Sequence, residues 1–412
     1  MSRRVVIVGA GVLGAATACF LARDHGCEVT LLERDTSFVR ASSSLSASSI
    51  RQQFSTAVNV ALSRWSLDFL RRAAQELAVD GEGPALGLVE PGYLYLARAD
   101  TQARLRAAHA LQRAAGAEVA LLEPAALRAR FPWLRTDDLA LGSLGLRGEG
   151  WFDGPALHRA FLRKARACGA RLVRAEAVGF EARGARVLGV RLADGACVPA
   201  QDVVLCAGAW SAALAATLGL AWPVRARKRD VFVFDSPAVL PGCPLLIDPG
   251  GVWCRPEGRG YIAGAPPRAR ADGGPGDPDE PDLQAIDHAL FEQVIWPALA
   301  NRVPAFEALR LRSAWAGYYE MNDFDHNGLA GAVPGWAGLW TACGFSGHGM
   351  QQAPAVGCAL AAAIAGATGG AGGKGGSCGS GRADAAQSPP SIEALSPQRL
   401  DRGERLVELN VI

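Results

Sequence analysis

Three glycines at G-x-G-x-x-G spacing, Gly9, Gly11 and Gly14, together with a carboxylate at Glu33, are the residues whose types and separation could grip a dinucleotide. Gly9 would allow a tight turn, Gly11 would let a pyrophosphate approach the backbone, and Gly14 would let helix and strand pack closely. The phosphates would then face the unpaired N–H groups of a helix that opens on Val12 and Leu13. Glu33 follows about 20 residues later, where a carboxylate accepts from ribose hydroxyls, and Arg34 stands next to it. Dinucleotides carry hydride-transferring rings, so the chemistry in reach is redox chemistry.

Other residues invite a role on type alone. The serines from Ser42 to Ser49 directly follow the second nucleotide-binding strand, where small hydroxyls and backbone donors, Ser43 and Ser44 among them, could reach phosphate; a plain surface linker is the other reading. Tyr318 and Tyr319 alternate in a strand, which sends one toward the core and the other toward a ligand. His348 lies between two glycines, as either a packed residue or an acid–base group.

The elements that must position these residues can be read from periodicity. Val5-Val6-Ile7-Val8 reads as a buried parallel strand, an Ala/Leu-rich helix runs to about Arg23, and Cys27 to Glu33 is the next strand. An amphipathic helix is expected over about 56–78. From about Gly83 the pattern changes to a strand at 92–97 and a helix at 100–115, which fit no further βαβ turn and read as an insertion with substrate contacts. Asp153-Gly154-Pro155 starts a helix to about Cys168, strands follow at 171–175 and 187–192, and Asp202 to Leu205 runs into Ala207-Gly208-Ala209-Trp210, a second close approach to the cofactor. Residues 225–264 are strand-rich; a Pro/Gly/Asp loop at 272–281 precedes a helix at about 283–300. A last helix is predicted from Pro354 to Ala365, then a low-complexity stretch, 366–390, with too few apolar residues to pack and hence expected to be disordered, then a tail from Ile392 that docks back.

The 412 residues favour two domains, with ample core from a 50% hydrophobic composition. A net charge of +2 with dispersed arginines argues against nucleic acid, and no apolar run approaches a membrane span. Ten cysteines without C-x-x-C or Cys/His clustering imply no metal and reduced core thiols, hence an intracellular compartment. The first strand begins within a few residues of Met1, so no targeting segment is visible; either none is used or it lies upstream.

Taken together, the glycine fingerprint with Glu33-Arg34, the run Cys206-Ala207-Gly208-Ala209-Trp210 and above all Gly344-Phe345-Ser346-Gly347-His348-Gly349 resemble the D-amino acid oxidase/sarcosine oxidase family of FAD-dependent oxidoreductases. Within it the chain is similar to the mitochondrial FAD-dependent oxidoreductase domain-containing proteins linked to assembly of respiratory complex I. That likeness is carried by Ser49-Ile50-Arg51-Gln52-Gln53-Phe54, Arg302-Val303-Pro304-Ala305-Phe306-Glu307, Ser313 to Tyr319, Gly349-Met350-Gln351-Gln352-Ala353-Pro354 and the Asn-Val-Ile terminus. The resemblance implies an α/β fold: a Rossmann-like FAD-binding domain built from 1–82, 150–222 and 308–412, and a mixed, mainly antiparallel sheet from 83–149 and 223–307 that roofs the flavin.

It also implies roles. Gly9, Gly11, Val12, Leu13, Gly14, Glu33 and Arg34 would hold the ADP half of FAD, Ser43 and Ser44 the pyrophosphate and ribityl chain, and Val178, Ala207, Gly208 and Trp210 would pass near the cofactor. Gly344 and Gly347 to Gln351, including His348, Gly349 and Met350, would line the pyrimidine end, where N–H groups stabilise the charge of reduced flavin. Arg51 matches an arginine that clamps a substrate carboxylate, with Tyr319, His348 and Gln351 as further catalytic candidates. Relatives anchor flavin through a cysteine in the segment matching Trp315 to Glu320 or a histidine in that matching Ser42 to Ser49; neither is present, so FAD would be non-covalent. The lysine that speeds reaction with dioxygen falls near Ile262, and a second carboxylate-binding lysine falls at Gln351, which weakens the case for an oxidase.

The expectation is a dehydrogenase that oxidises the carbon next to an amine in an N-methyl or D-amino-acid-like substrate and passes electrons to an acceptor other than dioxygen. Alternatively the protein keeps FAD as a structural ligand and acts as an assembly or interaction factor for a respiratory complex. A nicotinamide-linked dehydrogenase is disfavoured, because cofactor-like contacts recur at the far end of the chain. By resemblance the compartment is mitochondrial, or the cytoplasm if the source is bacterial.

Overall fold

In the computed structural model, residues 2–267, 282–367 and 388–411 are described; the 272–281 loop and, of the 366–390 stretch, residues 368–387 lie outside them. Four consecutive β-branched residues, Val5 to Val8, are buried on both faces, as a central parallel strand requires. That strand, Arg4–Val8, pairs in parallel with Glu28–Glu33 on one side and Asp202–Leu205 on the other. Arg171–Arg174 and Leu339–Cys343 extend the sheet in parallel at its two ends, and antiparallel Leu329–Ala332 closes it as the sixth strand.

Helix Val12–His25 is buried from Val12 to Ala22 because it is covered on both sides. It lies against the long helix Gly349–Gly366, and Gly357 allows the closest approach: a Cβ there would sit 2.8 Å from the Cβ of Ala16. Gly154–Ala167, capped by Asp153 accepting from the N–H of Ala156 at 2.7 Å, packs on the same helix through Phe161, which meets Phe20.

The second sheet has eight strands, antiparallel except where Leu245–Ile247 runs parallel to Tyr93–Ala97. Its spine is the long pair Val224–Asp235 and Arg310–Asn322. The latter lies inside the segment expected to belong to the dinucleotide-binding unit, yet all of its pairing is in the eight-stranded sheet. On the sheet's outer face Phe232, Phe234 and Tyr261 meet Phe291 and Phe306. Fully buried Arg302 joins three chain segments there, donating through Nε to Asp248 at 2.6 Å and through both Nη atoms to Asp138. The Arg302 guanidinium holds the Asp138 carboxyl down at about 2.

Three helices differ from the sequence reading: the one expected over about 283–300 begins only at His288 and passes through a π-helical turn, Phe291–Ile295, before ending at Arg302. The 56–78 helix is broken at Arg72 into Ala57–Arg71 and Ala73–Glu76. The last helix starts at Gly349 rather than Pro354, which sits inside it. Proline there removes one N–H bond, and burial of both flanks against helices Val12–His25 and Ala57–Arg71 offsets the loss. The earlier start matters, since it brings the helix N-terminus to Gly349.

Candidate active site

A cavity of about 750 Å³ runs from the glycine turn, past the serine segment, to the inner face of the eight-stranded sheet. At its first end Gly9 has φ +95°, and a Cβ would lie 2.3 Å from the carbonyl oxygen of Cys206, so only glycine fits. Glu33 is fixed by the N–H groups of Ala10 and Asp35, each donating to one carboxylate oxygen at 3.0 Å, which leaves further lone pairs for a ribose. The Arg34 guanidinium lies 4.1 Å over the Trp210 ring, and both border the cavity.

The serine segment is not a loose linker. Ser42–Leu45 forms a short helix, and Ser43 Oγ accepts the Val12 N–H at 2.9 Å. Trp315 Nε1 donates to the Leu45 carbonyl, and Arg255 Nη2 to that of Ala47, so the roof sheet holds this segment from above.

At the far end Gln351 Oε1 accepts the Arg51 N–H at 2.9 Å and the Ser63 hydroxyl at 3.0 Å. Arg51 is 4% exposed and borders the cavity, with its guanidinium 4.4 Å over Phe54 and donating to the Tyr95 hydroxyl and the Asn410 carbonyl. Both of these partners are neutral. Glu408, the carboxylate nearby, already accepts from the Ser55 and Thr56 hydroxyls and from Asn59. Tyr319 borders the cavity, packed directly on Gly347, with Arg229 5.1 Å over its ring, and burial pushes its hydroxyl pKa up.

Gly11, Val12, Leu13, Val178, Ala207, Gly208, Gly347, Gly349 and Met350 also border the cavity as expected positions. Gly14, Ser44, Gly344 and His348 do not. A Cβ on Gly14 would meet the Gly9 carbonyl oxygen at 2.0 Å, so its part is close packing behind the turn. Gly344, at φ +72°, turns against Val224. His348 is buried between Phe54 and Phe345, neither ring nitrogen has a partner, and burial pushes its pKa down to about 3, which keeps it neutral.

Sequence reasoning assigned no part to Tyr93, Trp253, Arg229 or Glu320, all on the cavity wall. Their strands were read, and period-two alternation on the inner face was the available signal. Tyr95 and Glu408 carry no local signal, and Asn410 was noted only as part of the Asn-Val-Ile terminus, since their contacts with the Arg51 region join residues far apart in the chain.

A glycine cradle, a helix N-terminus, a ribose-facing carboxylate and a cavity continuing some way beyond the ADP end fit FAD, and together with the antiparallel roof they define a flavin-dependent oxidoreductase. The chain belongs to the FAD dependent oxidoreductase family (DAO), whose profile matches residues 4–363. It is 39% identical over 400 residues to FAD-dependent oxidoreductase domain-containing protein 1 of Xenopus laevis, covering 87% of this chain and 78% of that protein. Mitochondrial sarcosine dehydrogenase of Homo sapiens is 28% identical over 366 residues, covering 84% of this chain and 38% of that protein. The solved structure of L-proline dehydrogenase from P. horikoshii matches with a TM-score of 0.79 and 25% identity, covering 98% of this chain and 99% of that one. Among the described residues no helix is long and apolar enough to cross a membrane, and no His/Cys/Asp/Glu cluster could hold a metal.

Proposed function

We propose that this protein is an FAD-dependent dehydrogenase for an amino acid with an N-alkyl or D-configured amine, oxidising the carbon bound to nitrogen. Arg51 is the observation that carries the reading. A buried cation whose side-chain hydrogen bonds among the described residues go to neutral oxygens, facing a cavity, is matched to an anion of substrate size, and a guanidinium fork suits a carboxylate. Sarcosine and proline, named in two relatives, are both secondary amines carrying a carboxylate, which supports the same class.

Arg51 would hold the carboxylate, and Tyr319 and Gln351 would set the orientation of the amine. The aromatic and apolar wall formed by Tyr93, Leu245 and Trp253 would exclude water around the donor carbon. Bound FAD supplies the hydride acceptor. Loss of hydride leaves an imine, which hydrolyses after release. His348 is not assigned a proton-transfer role, because it is off the cavity wall and neutral.

Anaerobic mixing of the holoprotein with sarcosine, proline, other N-methyl amino acids and D-amino acids tests the proposal. Bleaching of the flavin band by at least one is expected. A flavin that none of them reduces would overturn the dehydrogenase reading and favour a scaffold that keeps FAD as a structural ligand.

A further inference from the structure

Glu320 lies on the strand Arg310–Asn322 opposite Ala226, at the cavity wall between two backbone approaches. A Cβ on Gly208 would sit 3.7 Å from Glu320 Oε2, and one on Gly349 would sit 3.4 Å from Oε1. The Phe345 N–H donates to Oε1 at 3.3 Å, whereas Oε2 is buried with no partner. No ion pair reaches this carboxyl among the described residues.

Two thiols feel the charge of this carboxyl. Cys206 follows strand Asp202–Leu205, and Cys343 ends strand Leu339–Cys343; burial pushes both upward, Cys343 to about 12, so neither supplies a charge. The opposed strand presents Ala226, the turn Gly208–Trp210 carries no ionisable side chain, and the long helix begins with Gly349, Met350 and Gln351. Burial, opposed by the Gly344 and Phe345 N–H groups, pushes Glu320 up to about 7.

FAD brings a diphosphate into this cavity. A carboxylate without a cation would repel it, whereas a carboxylic acid can turn its O–H toward a ligand oxygen. We propose that Glu320 is a cofactor-facing residue that meets FAD as the neutral acid, and that FAD binding takes up the proton which keeps it so. The inference rests on FAD binding alone and stands apart from the choice of amine substrate.

The sign follows from linkage. If the acid form is favoured in the complex, its pKa there exceeds that of the free protein, so affinity is greatest below about pH 7. Affinity then falls by up to about tenfold per pH unit until the complex itself titrates. Apoprotein stripped of flavin and titrated with FAD between about pH 6 and 9, in two buffers of different ionisation enthalpy, should show the fall and an uptake approaching one proton above pH 7. Glu320→Gln should bind FAD at high pH as tightly as the wild type does at low pH, with slope and uptake gone. Burial likewise pushes Glu149 up to about 7, but it lies off the cavity, with Oε1 accepting from the Gln52 and Gln53 N–H groups and Oε2 from the Gln53 side-chain amide, so Glu149→Gln should keep the slope. A wild type without proton uptake, or a Glu320→Gln protein with the wild-type slope, would overturn the proposal; the first needs no variant to fold.

Discussion

Arg51 shows how far a single residue can be read. Its match to a carboxylate-clamping arginine was an expectation drawn from Ser49-Ile50-Arg51-Gln52-Gln53-Phe54, whereas the contacts that hold it had no counterpart in the sequence. Tyr95 and Asn410 lie 44 and 359 residues away, and no local pattern links them to it. For His348 the sequence left two readings open, a packed residue or an acid–base group, for a related reason. Flanking glycines mark a turn, and only packing could show that Phe54 and Phe345 close over the ring. If Arg51 holds the substrate carboxylate, Arg51→Ala should lose roughly 2–4 kcal/mol of transition-state binding, about a hundredfold or more in kcat/KM. The flavin absorbance of the purified variant should stay at wild-type occupancy. Unchanged steady-state kinetics with a carboxylate substrate would remove Arg51 from the site.

Among elements, the parallel strand, glycine turn and first helix were fully legible, because strand period, turn chemistry and helix pattern agree over one short stretch. The start of the last helix was not. Pro354 resembles a first-turn proline, and only contact with two neighbouring helices explains why helix continues through it. That helix is held against Val12–His25 by the absence of a side chain at Gly357, where a Cβ would also lie 2.9 Å from the Thr17 backbone nitrogen. Gly357→Leu should therefore push the pair apart at a cost of about 1–3 kcal/mol. Because the same two helices bring Val12 and Gly349 to the cavity, flavin occupancy should fall together with the melting temperature. Thermal melts and absorbance ratios on the same preparation check both, and an unchanged occupancy would show that the helix termini are positioned by other contacts.

For the whole molecule, the family, the α/β fold and the cofactor were legible, whereas the pairing of Arg310–Asn322 with Val224–Asp235 was not, since long-range register leaves no trace in either strand alone. The electron acceptor is a property at this scale too. Ile262 is 1% exposed and off the cavity wall, as is Ala263, so neither brings a cation to the flavin. Arg255, its cross-strand neighbour, is engaged by Glu257 and the Ala47 carbonyl, and Lys228 pairs with Asp230. Dithionite-reduced protein should reoxidise slowly in aerated buffer and quickly with a quinone or dye; stopped-flow traces as fast in air as with dye would point to another cation beside the flavin. The Asn410 contact to Arg51 has a consequence for biosynthesis. The glycine turn is made shortly before Arg51, but the arginine gains its carbonyl partner only after more than 350 further residues have been made. The cavity-lining turn Gly347 to Met350 and the carbonyl partner of Arg51 therefore both come late in synthesis, and a product truncated shortly before Glu408 would keep the cavity-lining residues while lacking the Asn410 contact to the arginine and the Glu408 contacts to Ser55 and Thr56.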